Sequence, residues 1–178
     1  MTFRFDDVCG TSDFRLLNSL TDFLIEKVPQ GKIIWAVSPL VHSSQVKTQR
    51  VFPQEWNALS DYKIHYNLDS HPSIGYSRLG ITVATHGLIH ADHRLLSRGA
   101  QELSILLSAS LVGSRVFVPP FNKWNKDTED ICSENGITLI KFEDGWKSME
   151  YNKFNEQTKF WYLHAREWTL DSFKKWFD

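Results

Sequence analysis

The sequence is poor in the features that mark secreted, membrane-spanning or nucleic-acid-binding chains. It has only two cysteines in 178 residues. Cys9 and Cys132 lie far apart and outside any CxxC pattern, so they imply no disulfide framework. No apolar run approaches the roughly 20 residues needed to cross a bilayer, so no membrane span is expected. The start lacks a charged segment leading into an apolar stretch, which predicts no secretory signal and a cytoplasmic location. Twenty basic and 21 acidic residues leave a formal net charge of −1. The basic residues are scattered rather than striped, which argues against a nucleic-acid footprint. No internal repeat and no low-complexity segment is visible.

Aromatic residues, by contrast, are abundant, with 12 Phe and 7 Trp. Such side chains dominate core energetics, so most are expected inside, with a minority left to form a platform for flat ligands such as sugar rings. Hydrophobic content of 42% and charged content of 23% are those of a globular chain. The length predicts one domain over residues 1–178.

Short β-type runs alternate with helical ones. Strands are predicted at 2–5, 32–39, 80–87, 114–120, 137–142 and 159–164. Helices are predicted at 12–27 (capped by Ser12 or Asp13), at about 93–111, at 125–136 and after Thr169. This alternation predicts a parallel sheet or barrel. Residues 39–79 interrupt it, with a helical candidate at 54–59 and an extra strand near 63–67. An interruption of that length predicts an excursion over the functional face.

Polar residues collect where strands end. Asp6 and Asp7 follow the first strand, and His86 and His90 follow "GITVAT". Pro119, Pro120, Phe121 and Asn122 follow "RVFV", Glu143, Asp144 and Trp146 follow "ITLIKF", and His164 follows "KFWYL". In parallel β/α architectures these ends open on one face, where ligands bind. A carboxylate with two imidazoles is a common ligand set for zinc and other first-row metals. A second carboxylate and a further histidine add a base and an acid. The set suits metal-assisted hydrolysis, in which the ion polarises a carbonyl and brings the pKa of bound water to roughly 7. Each part also has a plainer meaning. Asp6-Asp7 fits a solvated turn, His86 and His90 fit unrelated polar residues opening a helix, and His164 fits a hydrogen-bonded core histidine. His93 extends the row to HxxxHxxH, with a surface or substrate-side place expected for it, and Cys9 reads as a small buried residue.

These motifs resemble the polysaccharide deacetylase family, the NodB-homology or carbohydrate esterase 4 group. "FRFDDVCG" is similar to its "TFDDG"-type first motif, "THGLIH" to its H-x-x-x-H motif, "RVFVPPFN" to its third motif and "YLH" to its late L-x-H motif. They come in the family's order between residues 5 and 164. The resemblance implies a distorted, incomplete (β/α) barrel of six or seven parallel strands. It implies Asp7, His86 and His90 as metal ligands, with zinc first and cobalt, nickel, manganese or iron as substitutes. Asp6 would be the base that takes a proton from the attacking water, and His164 the acid that protonates the leaving amine. Pro120, Phe121, Asn122 and Trp146 would line the substrate and oxyanion side. The implied activity is removal of an acetyl group from an N-acetylated sugar or short oligosaccharide in glycan biosynthesis. The alternative is a degenerate carbohydrate-binding member without catalysis. Two departures stand out: Val8 replaces the first motif's glycine, and Val118 stands where the third motif usually has arginine. Asn122, Lys123 or Arg115 are the expected substitutes for that arginine.

Overall fold

The computed structural model describes residues 1–9, 12–42, 62–64, 81–141, 154–155 and 160–178. The elements run β1 (Thr2–Val8), α1 (Phe14–Lys27), β2 (Lys32–Val37), β3 (Leu40–His42), β4 (Tyr62–Ile64) and β5 (Ile81–Thr85). They continue with α2 (Arg98–Val112), β6 (Val116–Phe117), α3 (Lys126–Glu134), β7 (Thr138–Leu139), β8 (Phe154–Asn155), β9 (Phe160–Leu163) and α4 (Leu170–Phe177). The main sheet has the order β7-β6-β5-β2-β1-β9-β8. All its pairings are parallel except β8 with β9, so six parallel strands carry one antiparallel edge. Among the described residues the sheet does not close, which agrees with the incomplete barrel that the family resemblance implies. β3, at the start of the long excursion, and β4, within it, form a separate antiparallel pair. The helical candidate at 54–59 lies outside the described residues.

Local chemistry sets the helix ends. The Asp13 carboxylate caps α1 by accepting from the N–H groups of Arg15 and Leu16. Leu17, Leu20, Phe23 and Leu24 then recur at helical spacing and are buried. Thr169 and Ser172 form a reciprocal capping box that starts α4, whose Phe173 is buried. These two helices cover one side of β1 and β2, where Phe3, Phe5, Trp35 and Leu163 join the same core. Burial of each such side chain contributes about 1.5–3 kcal/mol. Trp35 is wholly buried and donates its indole N–H to Thr21 Oγ1 at 3.2 Å. Most described aromatics are core, as the composition predicts.

Three predicted boundaries move. β1 continues past Phe5 to Val8. The helix predicted from His93 is a single 3-10 turn (His93–Leu95), and α2 starts only after Ser97, whose hydroxyl accepts from Ala100 N–H. β6 and β7 are only two residues long, although the N–H groups of Val118 and Ile140 extend their ladders to Thr85 O and Phe117 O. Pro119 and Pro120 end β6, since neither carries a backbone N–H.

Candidate active site

Asp6 and Asp7 are neighbours, and neighbours on a regular strand face opposite sides. A bulge removes that obstacle. The β1–β2 ladder steps from Phe5↔Trp35 to Val8↔Val37, so three steps on β1 match two on β2. Asp7 absorbs the kink with φ of 57°, a left-handed conformation that aspartate tolerates better than most residues. Both carboxylates then face His86, whose Nε2 lies 3.9 Å from Asp6 Oδ2 and 3.6 Å from Asp7 Oδ1.

His86 directly follows β5 and is fully buried. Its Nδ1 lies 2.8 Å from Val118 O. A carbonyl only accepts, so Nδ1 holds the proton and Nε2 presents a lone pair. That lone pair faces Asp7 Oδ1, and neither atom has an aligned hydrogen bond. Two buried acceptors facing each other are unfavourable without a cation between them. His90 Nε2 approaches the same Asp7 oxygen at 2.9 Å. One ligand atom from each of Asp7, His86 and His90 falls within 4.8 Å of the others. The donor set therefore fits a divalent first-row cation. Burial on its own would raise the Asp7 pKa. His90 foremost, with His164 adding to it, outweighs burial and holds Asp7 well below the usual carboxylate range.

Asp6 is buried and held from behind by Arg4, two residues earlier on the same strand face. Arg4 Nε is 2.6 Å from Asp6 Oδ1, and Nη2 is 2.6 Å from Oδ2. The arginine is itself wholly buried, lies 4.9 Å from the Tyr162 ring centre, and donates through Nη2 to Asn122 Oδ1 at 2.6 Å. His164 directly follows β9. Its Nε2 is 3.4 Å from Asp7 Oδ2 and 3.2 Å from Tyr162 Oη, and its Nδ1 is 3.2 Å from Glu167 Oε1. Burial lowers the His164 pKa; Asp7 and Asp6 work against that, and Arg166 adds to it.

No family model and no curated protein matches this sequence. Solved structures do. A family 4 carbohydrate esterase from Streptomyces lividans, in complex with acetate, matches with a TM-score of 0.56 at 13% identity, over 99% of this chain and 83% of that one. The fold is that of the family 4 carbohydrate esterases. A Streptococcus pyogenes deacetylase in complex with acetate matches with a TM-score of 0.52 at 11% identity, over 98% of this chain and 69% of that one. A family 4 pseudoenzyme from Bacillus anthracis matches with a TM-score of 0.52 at 14% identity, and there the match spans 79% of this chain and only 42% of the other. At these identities the likeness is one of fold.

On this esterase fold, the strand-end residues of β1, β5, β6 and β9 share one face, and Asp6, Asp7, His86, His90 and His164 meet there. Pro119 to Asn122 arrive beside them on a 3-10 turn in which Phe121 and Asn122 have φ of 57° and 55°. The Phe121 ring is exposed and sits 4.3 Å from the His90 ring, while Pro120 is buried. Asn122, expected on the substrate side, turns its carbonyl oxygen to Arg4 instead. Trp146, Glu143 and Asp144 lie outside the described residues.

The arginine that contacts Asp6 is Arg4, which was not among the expected substitutes, and Asn122, which was, accepts from it. Arg115 instead donates to Asn135 O, and Lys123 lies 3.8 Å from Asp92. Val118 packs in an apolar cluster with Ile34, Ala36 and Ala84. The missed signal was the i, i+2 spacing of Arg4 and Asp6, which places both side chains on one face of a strand.

His93 is neither a surface nor a substrate-side residue. It is wholly buried; its Nδ1 donates to Ala91 O at 3.0 Å, and its Nε2 lies 3.1 Å from Ser104 Oγ, which also accepts from Leu88 N–H at 3.0 Å. Those bonds pin the loop that carries His86 and His90. Gly87, at φ of 80°, makes room, because a Cβ there would lie 2.9 Å from His93 Cε1. Burial brings the His93 pKa down from 6.5 to about 4. The unfolded chain therefore binds this proton more readily than the native one. The stability it supports is complete above pH 6.5 and drains away towards pH 4. We expect this group to cost roughly 3 kcal/mol over that window. Urea unfolding of wild type and His93→Gln should thus give different pH slopes there, and parallel slopes would contradict the assignment.

Proposed function

We propose that this chain is a divalent-metal-dependent hydrolase that removes the acetyl group from an N-acetylated sugar, as a divergent member of the polysaccharide deacetylase family. The observation that carries this is the convergence of Asp7, His86 and His90 beside a second, arginine-held carboxylate and a buried histidine. The Streptomyces and Streptococcus structures of this fold are complexes with acetate, the fragment this reaction releases.

Asp7 Oδ1, His86 Nε2 and one nitrogen of His90 would hold the cation, with zinc as the first candidate. Bound there, it would polarise the acetyl carbonyl and acidify the attacking water. Asp6 takes the proton of that water. Its carboxylate is fixed in direction by the two-point contact with Arg4. Water oxygen bonds to the carbonyl carbon, and the C–N bond then breaks as the nitrogen is protonated. His164 stands nearest for that proton. Burial, which lowers its pKa, makes the protonated ring a readier donor, and solvent restores its proton after turnover. The exposed face of Phe121 suits stacking on a sugar ring. The N–H of Phe121 is the backbone donor in the Pro119–Phe121 stretch suited to the oxyanion.

The pseudoenzyme of the same fold supports one competing reading, a carbohydrate-binding protein without turnover. Acetate release from a panel of N-acetylated sugars separates the two. The hydrolase reading expects release that depends on added metal and falls by about 10²- to 10⁴-fold in Asp6→Asn and in His164→Ala. Sugar binding without acetate release from any sugar, with any of the five metals, would decide for the binding protein.

A further inference from the structure

We propose that Arg166 is a positioning residue for the metal ligand Asp7. It holds Asp7 Oδ2 aside, so that Asp7 gives the cation one oxygen and leaves a coordination place for water. The proposal rests on the metal site of the deacetylase reading.

Asp7 needs such a holder. It sits in the bulge of β1, where it has no register partner on β2 or β9. The last torsion of an aspartate is broad and roughly two-fold, so the backbone alone does not decide which oxygen faces the cation. Its neighbour Asp6 is fixed by the two-point contact from Arg4.

The two oxygens of Asp7 have different surroundings. Oδ1 faces His86 and His90, at 3.6 and 2.9 Å. Oδ2 lies 3.1 Å from Arg166 Nη1 and 3.4 Å from His164 Nε2. The guanidinium therefore holds the oxygen that the ligand imidazoles do not face.

Arg166 is placed firmly enough to do this. It occupies the 3-10 turn Ala165–Glu167, immediately after His164. Glu167 N–H donates to His164 O at 3.1 Å and Trp168 N–H to Ala165 O at 3.2 Å, which ties the turn down. Ala165 and Trp168 pack on the main core, where the Trp168 ring meets Phe173 edge-on at 5.2 Å. With 45% of the Arg166 side chain exposed, the ion pair contributes little stability, so direction is what it supplies.

The number of donor atoms makes direction matter. Catalytic zinc sites take three protein ligands and keep a fourth position for water. Asp7 Oδ1, His86 Nε2 and one His90 nitrogen make three. A second oxygen from Asp7 would make four and fill the position that the reaction needs. It would also draw Oδ2 away from His164. A charged donor on the outer oxygen of a ligating carboxylate prevents both.

The test is the visible absorption of cobalt(II) loaded into metal-free wild type, Arg166→Met and Arg166→Lys. Cobalt content is measured on each, and acetate release is followed in parallel. Cobalt(II) absorbs more weakly as its coordination number rises. Arg166→Met should still hold cobalt but lose absorption several-fold, because the released Oδ2 joins the ion. Arg166→Lys should restore part of the intensity. In the zinc-loaded proteins, kcat for acetate release should fall about 10- to 100-fold in Arg166→Met with KM little changed. Equal spectra for wild type and Arg166→Met at equal cobalt content overturn the proposal. If KM alone then rises, Arg166 is instead a substrate contact in the cleft it lines. Acetate release with equal spectra sinks the positioning role and leaves the deacetylase reading standing. Altered spectra without acetate release from any of the three proteins do the reverse. Wild type that takes up no cobalt removes the ligand set and this proposal together.

Discussion

Arg4→Met is expected to cost about 3–5 kcal/mol of unfolding free energy, the loss seen when one partner of a buried ion pair is removed. Arg4 and Asp6 are both buried and meet through two contacts of 2.6 Å. With the guanidinium gone, the Asp6 carboxylate is left in a dry site with no matching charge. Asn122 loses the donor to its side-chain oxygen as well. The double variant Arg4→Met/Asp6→Leu should recover most of that stability, because replacing the whole pair with apolar groups removes the stranded charge. On the proposed reading it should still release no acetate, since it lacks Asp6. Urea midpoints of the two single variants and the double close a thermodynamic cycle. A loss below about 1 kcal/mol for Arg4→Met, or simple additivity in the cycle, would mean that the pair is not the strongly coupled unit its geometry describes.

That pair also marks the limit of what the sequence discloses. The candidate ligands were legible because each stands at or just beyond the C-terminal end of a strand, and six of the strands run parallel, so their ends share a face whatever the packing detail. Arg4 lies inside the apolar run "TFRF", where a charge reads as a solvent-facing interruption of a half-buried strand. Only a sheet with β2 on one side of β1 and β9 on the other makes that face an interior one. His93 was hidden for a different reason. The Leu95-Leu96 pair continues a helical pattern backwards from α2, but the Ser97 cap and the 3-10 turn break it, and the ring folds inward onto Ser104. Tertiary hydrogen bonding decided that position, and local periodicity carries no record of it. The bulge at Asp7 stands between these cases. Two acids on one site require a turn or a kink, and the sequence gives no hint whether a glycine-free strand will supply it. It did so by placing Asp7, rather than the absent glycine, in the left-handed region.

The second large effect concerns the ion itself. Zinc added to metal-free protein is expected to raise unfolding stability by about 4 kcal/mol at a thousandfold excess over Kd, since a ligand that binds only the native state stabilises by mass action. Asp7→Ala and His86→Ala should each abolish most of that rise, for distinct reasons. Asp7 supplies the only carboxylate of the ligand set, and Oδ1 is the atom both imidazoles face. His86 supplies a nitrogen whose tautomer is already set by Val118 O, so its lone pair is aimed without further ordering. His90→Ala should lose less than His86→Ala. The His90 ring is partly exposed and its Nδ1 has no hydrogen-bond partner among the described residues, so its tautomer and orientation are not fixed in advance. In the metal-free state Asp7→Ala should itself cost stability, because it removes a carboxylate contacted by His90 and Arg166 whose pKa the fold depresses. A chelator titration followed by thermal unfolding of the four proteins checks all of this at once. If zinc leaves every midpoint where it was, or shifts wild type and Asp7→Ala equally, the cation does not bind between Asp7 and the two imidazoles.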